Sequence, residues 1–192
     1  MRVIGGKYKR LHIKTIDGQS TRPTTDKVKE NIFNGLHDIE GIGLDLFAGS
    51  GGLGIEALSR GLDKVIFVDG NFKATKIIKE NLNTLNIPNE QFEVYKNDAI
   101  RALKAIGKRD IQFDYIFLDP PYRKTLIDQA LEKIEAFDLL NVSGTIICEF
   151  DKSEKIDTRG FEILKKYEYG LTHVMLLTKG ENHDKENSSS SR

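Results

Sequence analysis

The chain has 192 residues, 29 Lys and Arg against 29 Asp and Glu, a formal net charge of zero and one cysteine. That length suits one well-filled domain burying roughly 70% of its unfolded surface and leaves little room for a second. The lone Cys148 excludes an internal disulfide, no apolar run approaches a membrane span, no signal-peptide core is present, and His12, His37, His173 and His183 are too scattered for a zinc site, so a cytoplasmic, metal-free protein is expected.

Charge distribution says more than the sum. Residues 1–29 carry Arg2, Lys7, Lys9, Arg10, Lys14, Arg22, Lys27 and Lys29 against Asp17 and Asp26, a local charge of +6 that the remainder balances with −6. A cationic arm on an acidic body can hold a phosphate backbone, which makes Arg2, Lys7, Lys9, Arg10 and Arg22 candidate nucleic-acid contacts; a solvated charged surface is the plainer alternative. Arg2-Val3-Ile4, Gly5-Gly6 and Tyr8 to Thr15 read as a β-hairpin with a glycine turn, so residues 1–20 are expected to form a small N-terminal extension before a main domain at 21–180. After Thr21-Arg22-Pro23-Thr24-Thr25, Val28, Ile32, Phe33 and Leu36 recur at helical spacing, with Thr24 or Thr25 as the expected cap. Arg22, Thr24 and Thr25 suit either a loop over the site or a simple helix start.

From Gly41 strands and helices alternate. Strands are expected near 42–47, 64–69, 92–97, 113–118 and 144–150, helices near 53–60, 71–86, 99–107 and 124–138, and an antiparallel hairpin from Phe161 to Tyr169 and Thr172 to Thr178 across Gly170-Leu171. This pattern implies an α/β fold, a mostly parallel, Rossmann-like sheet of seven strands with an antiparallel C-terminal hairpin. Cys148 falls in the apolar run Ile146-Ile147-Cys148, where a thiol behaves as a small hydrophobe, and residues 181–192, without apolar side chains, read as a disordered tail.

The strand ending in Leu44-Asp45-Leu46 runs into Phe47-Ala48-Gly49-Ser50-Gly51-Gly52-Leu53-Gly54, in which Gly49, Gly51 and Gly54 match the G-x-G-x-x-G spacing of an adenosyl-ligand turn. Asp69 closes the next strand twenty residues after Gly49, the spacing of a ribose-binding acid. A nicotinamide dinucleotide would fit this much. Asp45, just before the turn, would repel a pyrophosphate and attract a cation, which favours S-adenosylmethionine as cofactor. Asp98, followed by Ala99, stands where an acid can accept from the adenine amine, and Asp there also caps a helix for backbone reasons.

After the next strand comes Asp119-Pro120-Pro121-Tyr122-Arg123. An exocyclic amine on a nucleobase is a poor nucleophile because its lone pair is delocalised into the ring. Two acceptors, the Asp119 carboxylate and the Pro120 carbonyl, can redirect that lone pair, the prolines stiffen the backbone, and Tyr122 can stack on the extruded base. The alternative is a rigid Asp-Pro-Pro-Tyr turn with no chemistry. Asp45, Gly49, Asp69, Asp98 and Asp119 all fall at the carboxyl ends of expected strands, the edge where open α/β sheets bind ligands.

These motifs, with Arg2-Val3-Ile4-Gly5-Gly6, Thr21-Arg22-Pro23-Thr24-Thr25-Asp26-Lys27-Val28-Lys29-Glu30 and Gly54-Ile55-Glu56-Ala57-Leu58-Ser59-Arg60-Gly61, resemble the class I S-adenosylmethionine-dependent methyltransferases, and within them the RsmD family of 16S rRNA guanine-N2 methyltransferases. The resemblance runs from about residue 2 to residue 178, and the Arg-Pro-Thr-Thr-Asp stretch is its most specific part. It implies methyl transfer to N2 of a guanine in 16S rRNA of the small ribosomal subunit; a monomer is the expected state. It also implies that Asp45, Phe47, Ala48, Gly49, Ser50 and Gly51 meet the cofactor near its methionine end, Asp69 the ribose, and Asp98 with Ala99 the adenine. Asp119, Pro120, Pro121 and Tyr122 would hold the target base, with Arg123 beside them on the substrate side. Some relatives carry Phe at the position of Tyr122, and either ring stacks. An adenine-N6 DNA methyltransferase can use the same four residues, but the chain lacks surface for a target-recognition domain; a glutamine methyltransferase usually has Asn at Asp119; a non-catalytic RNA-binding assembly factor has little reason to place three acids around one crevice.

Overall fold

Side chains along each apolar run alternate between two helical layers. Val65 and Phe67 pack into one core with Ile32, Phe33, Ile55 and Ile78, while Ile66 and Val68 pack into a second with Leu103, Ile106, Leu131 and Ile134. That period of two, buried on both sides, is what a parallel sheet covered by crossover helices requires. The computed structural model describes residues 1–16, 26–121 and 125–180. In chain order its elements are α1 (Asp26–Leu36), β1 (Ile42–Asp45), α2 (Gly52–Arg60), β2 (Lys64–Asp69), α3 (Phe72–Thr84), a 3-10 turn at Asn89–Gln91, β3 (Phe92–Lys96), α4 (Ala99–Gly107), β4 (Phe113–Leu118), α5 (Leu126–Ala136), β5 (Leu140–Asp151), β6 (Phe161–Tyr169) and β7 (Thr172–Lys179).

The seven strands form one sheet in the order β3-β2-β1-β4-β5-β7-β6. The strands β1 to β5 pair in parallel, and β7 joins antiparallel to both β5 and β6. The α/β architecture with its antiparallel C-terminal hairpin is therefore the one expected, with Gly170 at φ 58 making the tight turn. The chain leaves β1 toward β2 and β3, then returns to β4 on the other side, so the sheet reverses direction between β1 and β4. Such a switch point opens a crevice at the carboxyl ends of the strands.

Two strand boundaries differ most from expectation. The first strand stops at Asp45 rather than at residue 47, although Leu46 N–H still donates to Phe117 O at 3.2 Å and Ala48 N–H to Val68 O at 3.0 Å. The fifth strand starts at Leu140 rather than 144, because a register shift opposite Phe113 and Tyr115 absorbs the glycine-containing stretch. Cys148 is fully buried, and burial pushes its thiol well above the usual range, as suits a hydrophobe.

The N-terminal hairpin needs correction. Its ends pair, through Arg2 and His12, with Val3 N–H donating to Leu11 O at 2.9 Å, but the turn is not at Gly5-Gly6. Those residues dock on α2 instead: Ile4 and Gly5 N–H donate to Glu56 at 2.9 and 2.8 Å, and Lys7 N–H donates to Ser59 O at 2.7 Å. The turn falls later, where Lys9 N–H meets Gly6 O. A Cβ on Gly6, at φ 77, would stand 1.9 Å from Ser59 O, so only glycine permits this approach. Val3, Tyr8 and Ile13 are buried in the same core as α1, α2 and α3, which ties this segment into the main fold. The expected caps Thr24 and Thr25, and the tail from 181, lie outside the described residues.

Candidate active site

At the carboxyl ends of the strands lies a cleft of about 770 Å³, and the sequence-nominated acids Asp45, Asp69, Asp98 and Asp119 all line it. Phe47, Ala48, Gly49, Ser50 and Ala99 line it too, as do Pro120 and Pro121.

Asp45 ends β1 with 2% of its surface exposed. One carboxylate oxygen accepts from Gly54 N–H at 2.9 Å, but burial outweighs that bond, and the nearby charge of Asp69 adds to it, so the carboxyl pKa is pushed up to about 7. Gly54 must be small. A Cβ there would lie 2.3 Å from the Phe67 ring and 3.0 Å from Asp45 Oδ2, so Gly54→Ala is expected to destabilise by about 1–3 kcal/mol through overpacking, read as a lower denaturant midpoint at unchanged slope. A midpoint equal to that of the wild type would show that Phe67 yields freely.

Gly49 adopts φ 57 with nothing within 4 Å of where a Cβ would stand, so its missing side chain leaves cleft space open. Its N–H donates to Asp69 Oδ2 at 2.8 Å, and Asp69 Oδ1 accepts from Asn71 N–H at 2.8 Å. Asp69 therefore ties the glycine turn to the start of α3, and each oxygen keeps a second lone pair for a ligand. Gly51, nominated for the cofactor, is not among the lining residues: at φ 87 it starts α2 and packs near Ile55 and Ile78. Asp98 caps α4 by accepting from Arg101 N–H at 3.0 Å while also lining the cleft.

No motif or spacing pointed to Asn81. This residue of α3 is 1% exposed; its amide donates to Ser50 O at 2.9 Å and to Lys14 O at 3.0 Å, and its oxygen accepts from Lys14 N–H at 2.8 Å. It clamps the glycine turn and the N-terminal segment to one helix. Asn81→Ala takes the partner from one buried carbonyl, Ser50 O, which costs about 1–3 kcal/mol when unsatisfied, and from the partly buried N–H and C=O of Lys14, which water can reach. Loss of stability by about 1–3 kcal/mol is expected in denaturant titration; a change within error would mean that water replaces the amide.

Lys29, Glu149, Met1, Ile16 and Asn71 also line the cleft and were not anticipated. Lys29 is 3% exposed on α1, where it donates to Arg2 O at 2.8 Å and stands 3.5 Å from Glu56, which also accepts from Arg60 Nε at 2.8 Å. Burial lowers the Lys29 pKa more than Glu56 raises it. The available signal was its position on α1, four residues before Phe33. Glu149 hid inside the apolar run of β5.

Of the nominated substrate contacts, the described ones, Arg2, Lys7, Lys9 and Arg10, do not line this cleft. Lys7 sits beside Ser59 near the carboxyl end of α2, with its ammonium 5.3 Å from the Tyr8 ring centroid, and Lys9 and Arg10 are exposed on the following turn, whereas the cleft lies at the opposite, amino end of α2. Arg2 pairs with Asp26 at 2.8 Å and Lys14 with Glu80 at 3.0 Å, so part of the cationic charge of this segment is met within the chain. Arg22, Tyr122 and Arg123 lie outside the described residues.

A Rossmann-like sheet closed by an antiparallel β6–β7 pair, with acids along the switch-point rim, defines a class I methyltransferase architecture. Residues 1–178 match the family model described as Conserved hypothetical protein 95. The chain belongs to that family, the RsmD family, and is a methyltransferase. It is 49% identical over 183 residues to YlbH of Bacillus subtilis, a provisionally named rRNA methyltransferase, covering 93% of this chain and 99% of that protein. It is 34% identical over 181 residues to ribosomal RNA small subunit methyltransferase D of Haemophilus influenzae, covering 92% of each. The solved structure of yhhF from Escherichia coli, described as a candidate methyltransferase, superposes with a TM-score of 0.81 at 26% identity, covering 94% of this chain and 99% of that one.

Proposed function

We propose that this enzyme transfers a methyl group from S-adenosylmethionine to the exocyclic N2 of a guanine in 16S rRNA of the small ribosomal subunit. The observation that carries the reading is the convergence of Asp45, Asp69, Asp98 and Asp119 on one cleft large enough for a cofactor and a base together. Relatives named for rRNA methylation, one of them for the small subunit, support the choice of RNA over DNA. The basic stretch from Arg2 through Lys7, Lys9 and Arg10 to Arg22 supports the same choice as a set of phosphate contacts, and acting on ribosomal subunits places the enzyme in the cytoplasm. Among the described residues, no helix is long and apolar enough to cross a membrane.

The cleft fits the cofactor on its own chemistry. A buried carboxylate at Asp45 suits an ammonium, the open space at Gly49 admits a ligand close to backbone, and Asp69 and Asp98 retain acceptor capacity for ribose hydroxyls and an adenine amine. Bound there, S-adenosylmethionine supplies a methyl group on a sulfonium, already activated toward a nucleophile. Asp119 and the Pro120 carbonyl accept from the two N–H bonds of the base amine, which draws its lone pair out of conjugation with the ring and offsets the positive charge that grows on nitrogen. Stiff prolines hold these acceptors in place, so that orientation rather than covalent catalysis lowers the barrier.

The test incubates the protein with small ribosomal subunits lacking the modification and with radiolabelled cofactor, then identifies the methylated nucleoside by mass spectrometry. N2-methylguanosine in 16S rRNA is the expected product. Label in N6-methyladenosine of DNA, or in protein, would replace this reading with another.

A further inference from the structure

Asp119 follows the last residue of β4 and Glu149 stands near the end of β5, and the parallel pairing of Leu118 with Cys148 brings the two acids level on neighbouring strands. Leu118 and Cys148 both point into the core formed with α4 and α5, so Glu149, next along β5, turns to the opposite face. Glu149 is 3% exposed yet lines the cleft. Its strand is interior, with β4 on one side and Val174 of β7 opposite it on the other, so its backbone has little freedom to move. A carboxylate has about four acceptor sites, so Glu149 can meet a partner within the chain and still offer an oxygen to the cleft.

We propose that Glu149 is the residue that selects guanine over adenine, by accepting the N1–H of the extruded base beside Asp119; this rests on the reading of the acceptor as a guanine N2 amine. Neighbouring strands stand about 4.8 Å apart, a spacing at which two acceptors can meet adjacent N–H groups of one heteroaromatic edge. Guanine presents N1–H next to its N2 amine, so Asp119 and Glu149 together read two adjacent donors. Adenine presents a lone pair at N1, which would face the carboxylate and leave it without a donor. One side chain thus attracts the right base and repels the wrong one.

The experiment first maps the methylated nucleotide with the wild-type enzyme on unmodified small subunits. Subunits are then reconstituted on 16S rRNA carrying either guanine or 2-aminopurine at that position. The analogue keeps the N2 amine but offers a lone pair at N1. Wild-type enzyme is expected to prefer guanine by at least ~100-fold in kcat/KM, since a site built to receive a hydrogen bond rejects an analogue lacking it. Glu149→Gln, whose amide can donate to that lone pair, is expected to compress the preference below ~10-fold while binding cofactor normally in calorimetry, and Glu149→Asp, which keeps the carboxylate, is expected to retain it. Equal use of both bases by the wild type overturns the assignment without recourse to any variant. A cofactor-binding Gln variant with the full wild-type preference overturns it as well. A wild-type product other than N2-methylguanosine is a separate outcome: it removes the underlying reading, and the role of Glu149 with it.

Discussion

Asp119→Ala is expected to abolish methyl transfer, with a loss on the order of a thousandfold or more in the single-turnover rate, while affinity for S-adenosylmethionine stays near that of the wild type. The asymmetry follows from position. Asp119 lies beyond β4, on the side of the switch point away from the glycine turn, whereas Asp45, Asp69 and Asp98 end β1 and β2 and precede α4. Alanine removes one of two acceptors that localise the amine lone pair, so the nitrogen keeps its conjugation with the ring and remains a poor nucleophile. Asn in the same place keeps an acceptor oxygen without the charge, and a rate between those of Ala and Asp is expected. Rapid-quench assays on small subunits and calorimetry with the cofactor together check this. An Ala variant turning over at the wild-type rate would sink the role; an Ala variant that no longer binds cofactor would move Asp119 to the other half of the cleft.

The second large effect concerns Asp45 and pH. In the folded protein its carboxyl titrates at about 7, against about 3.9 for an aspartate in an unfolded chain. Between those values the folded state keeps a proton that the unfolded state has released. Stability present below about pH 4 is therefore lost as the pH rises toward 7 and is flat above it, to a total of about 4 kcal/mol at 1.36 kcal/mol per pH unit. Asn cannot lose a proton and still offers Gly54 N–H an acceptor, so cofactor-free Asp45→Asn is expected to resist denaturant better than the wild type at pH 8, with the difference shrinking toward pH 5. Cofactor binding should run the other way. A cationic ligand selects the carboxylate, so wild-type affinity rises with pH up to about 7 and then levels, while the Asn variant binds weakly with no such slope. Denaturant titrations and calorimetry at matched pH values read both effects, and an Asn variant with the wild-type pH slope would place the titration on another group.

The parallel half of the fold could be read from the chain because its determinants are local: apolar runs of strand length, a glycine turn, and acids placed where strands stop. Asp45, Asp69, Asp98 and Asp119 were nominated on that basis, and all four line one cleft. What escaped depends on distant parts of the chain. Gly5 and Gly6 have the composition of a hairpin turn, but Glu56 and Ser59, more than fifty residues away, take the backbone donors of this segment and shift the turn. Lys29 looks like another surface cation until α1 packs it against Glu56, and Glu149 looks like an interruption of a core strand until β4 sets it beside Asp119. Asn81 has no motif at all, since its three partners come from two separate stretches of chain. Gly51 fits the glycine spacing and serves the bend rather than the cleft.

The reversal of strand order between β1 and β4 divides the rim by chain position: Asp45, Asp69 and Asp98 come before residue 100, and Asp119, Glu149, Asp151 and Glu154 after residue 118. On the proposed reading, the grip on the methyl donor and the choice of base are thereby written on separate stretches of the gene, apart from the phosphate contacts proposed near the N-terminus. A relative could retarget its nucleotide by exchanging the later stretch alone and inherit an unaltered grip on the methyl donor, which makes chimaeras joined within α4 a natural route to enzymes with new acceptors.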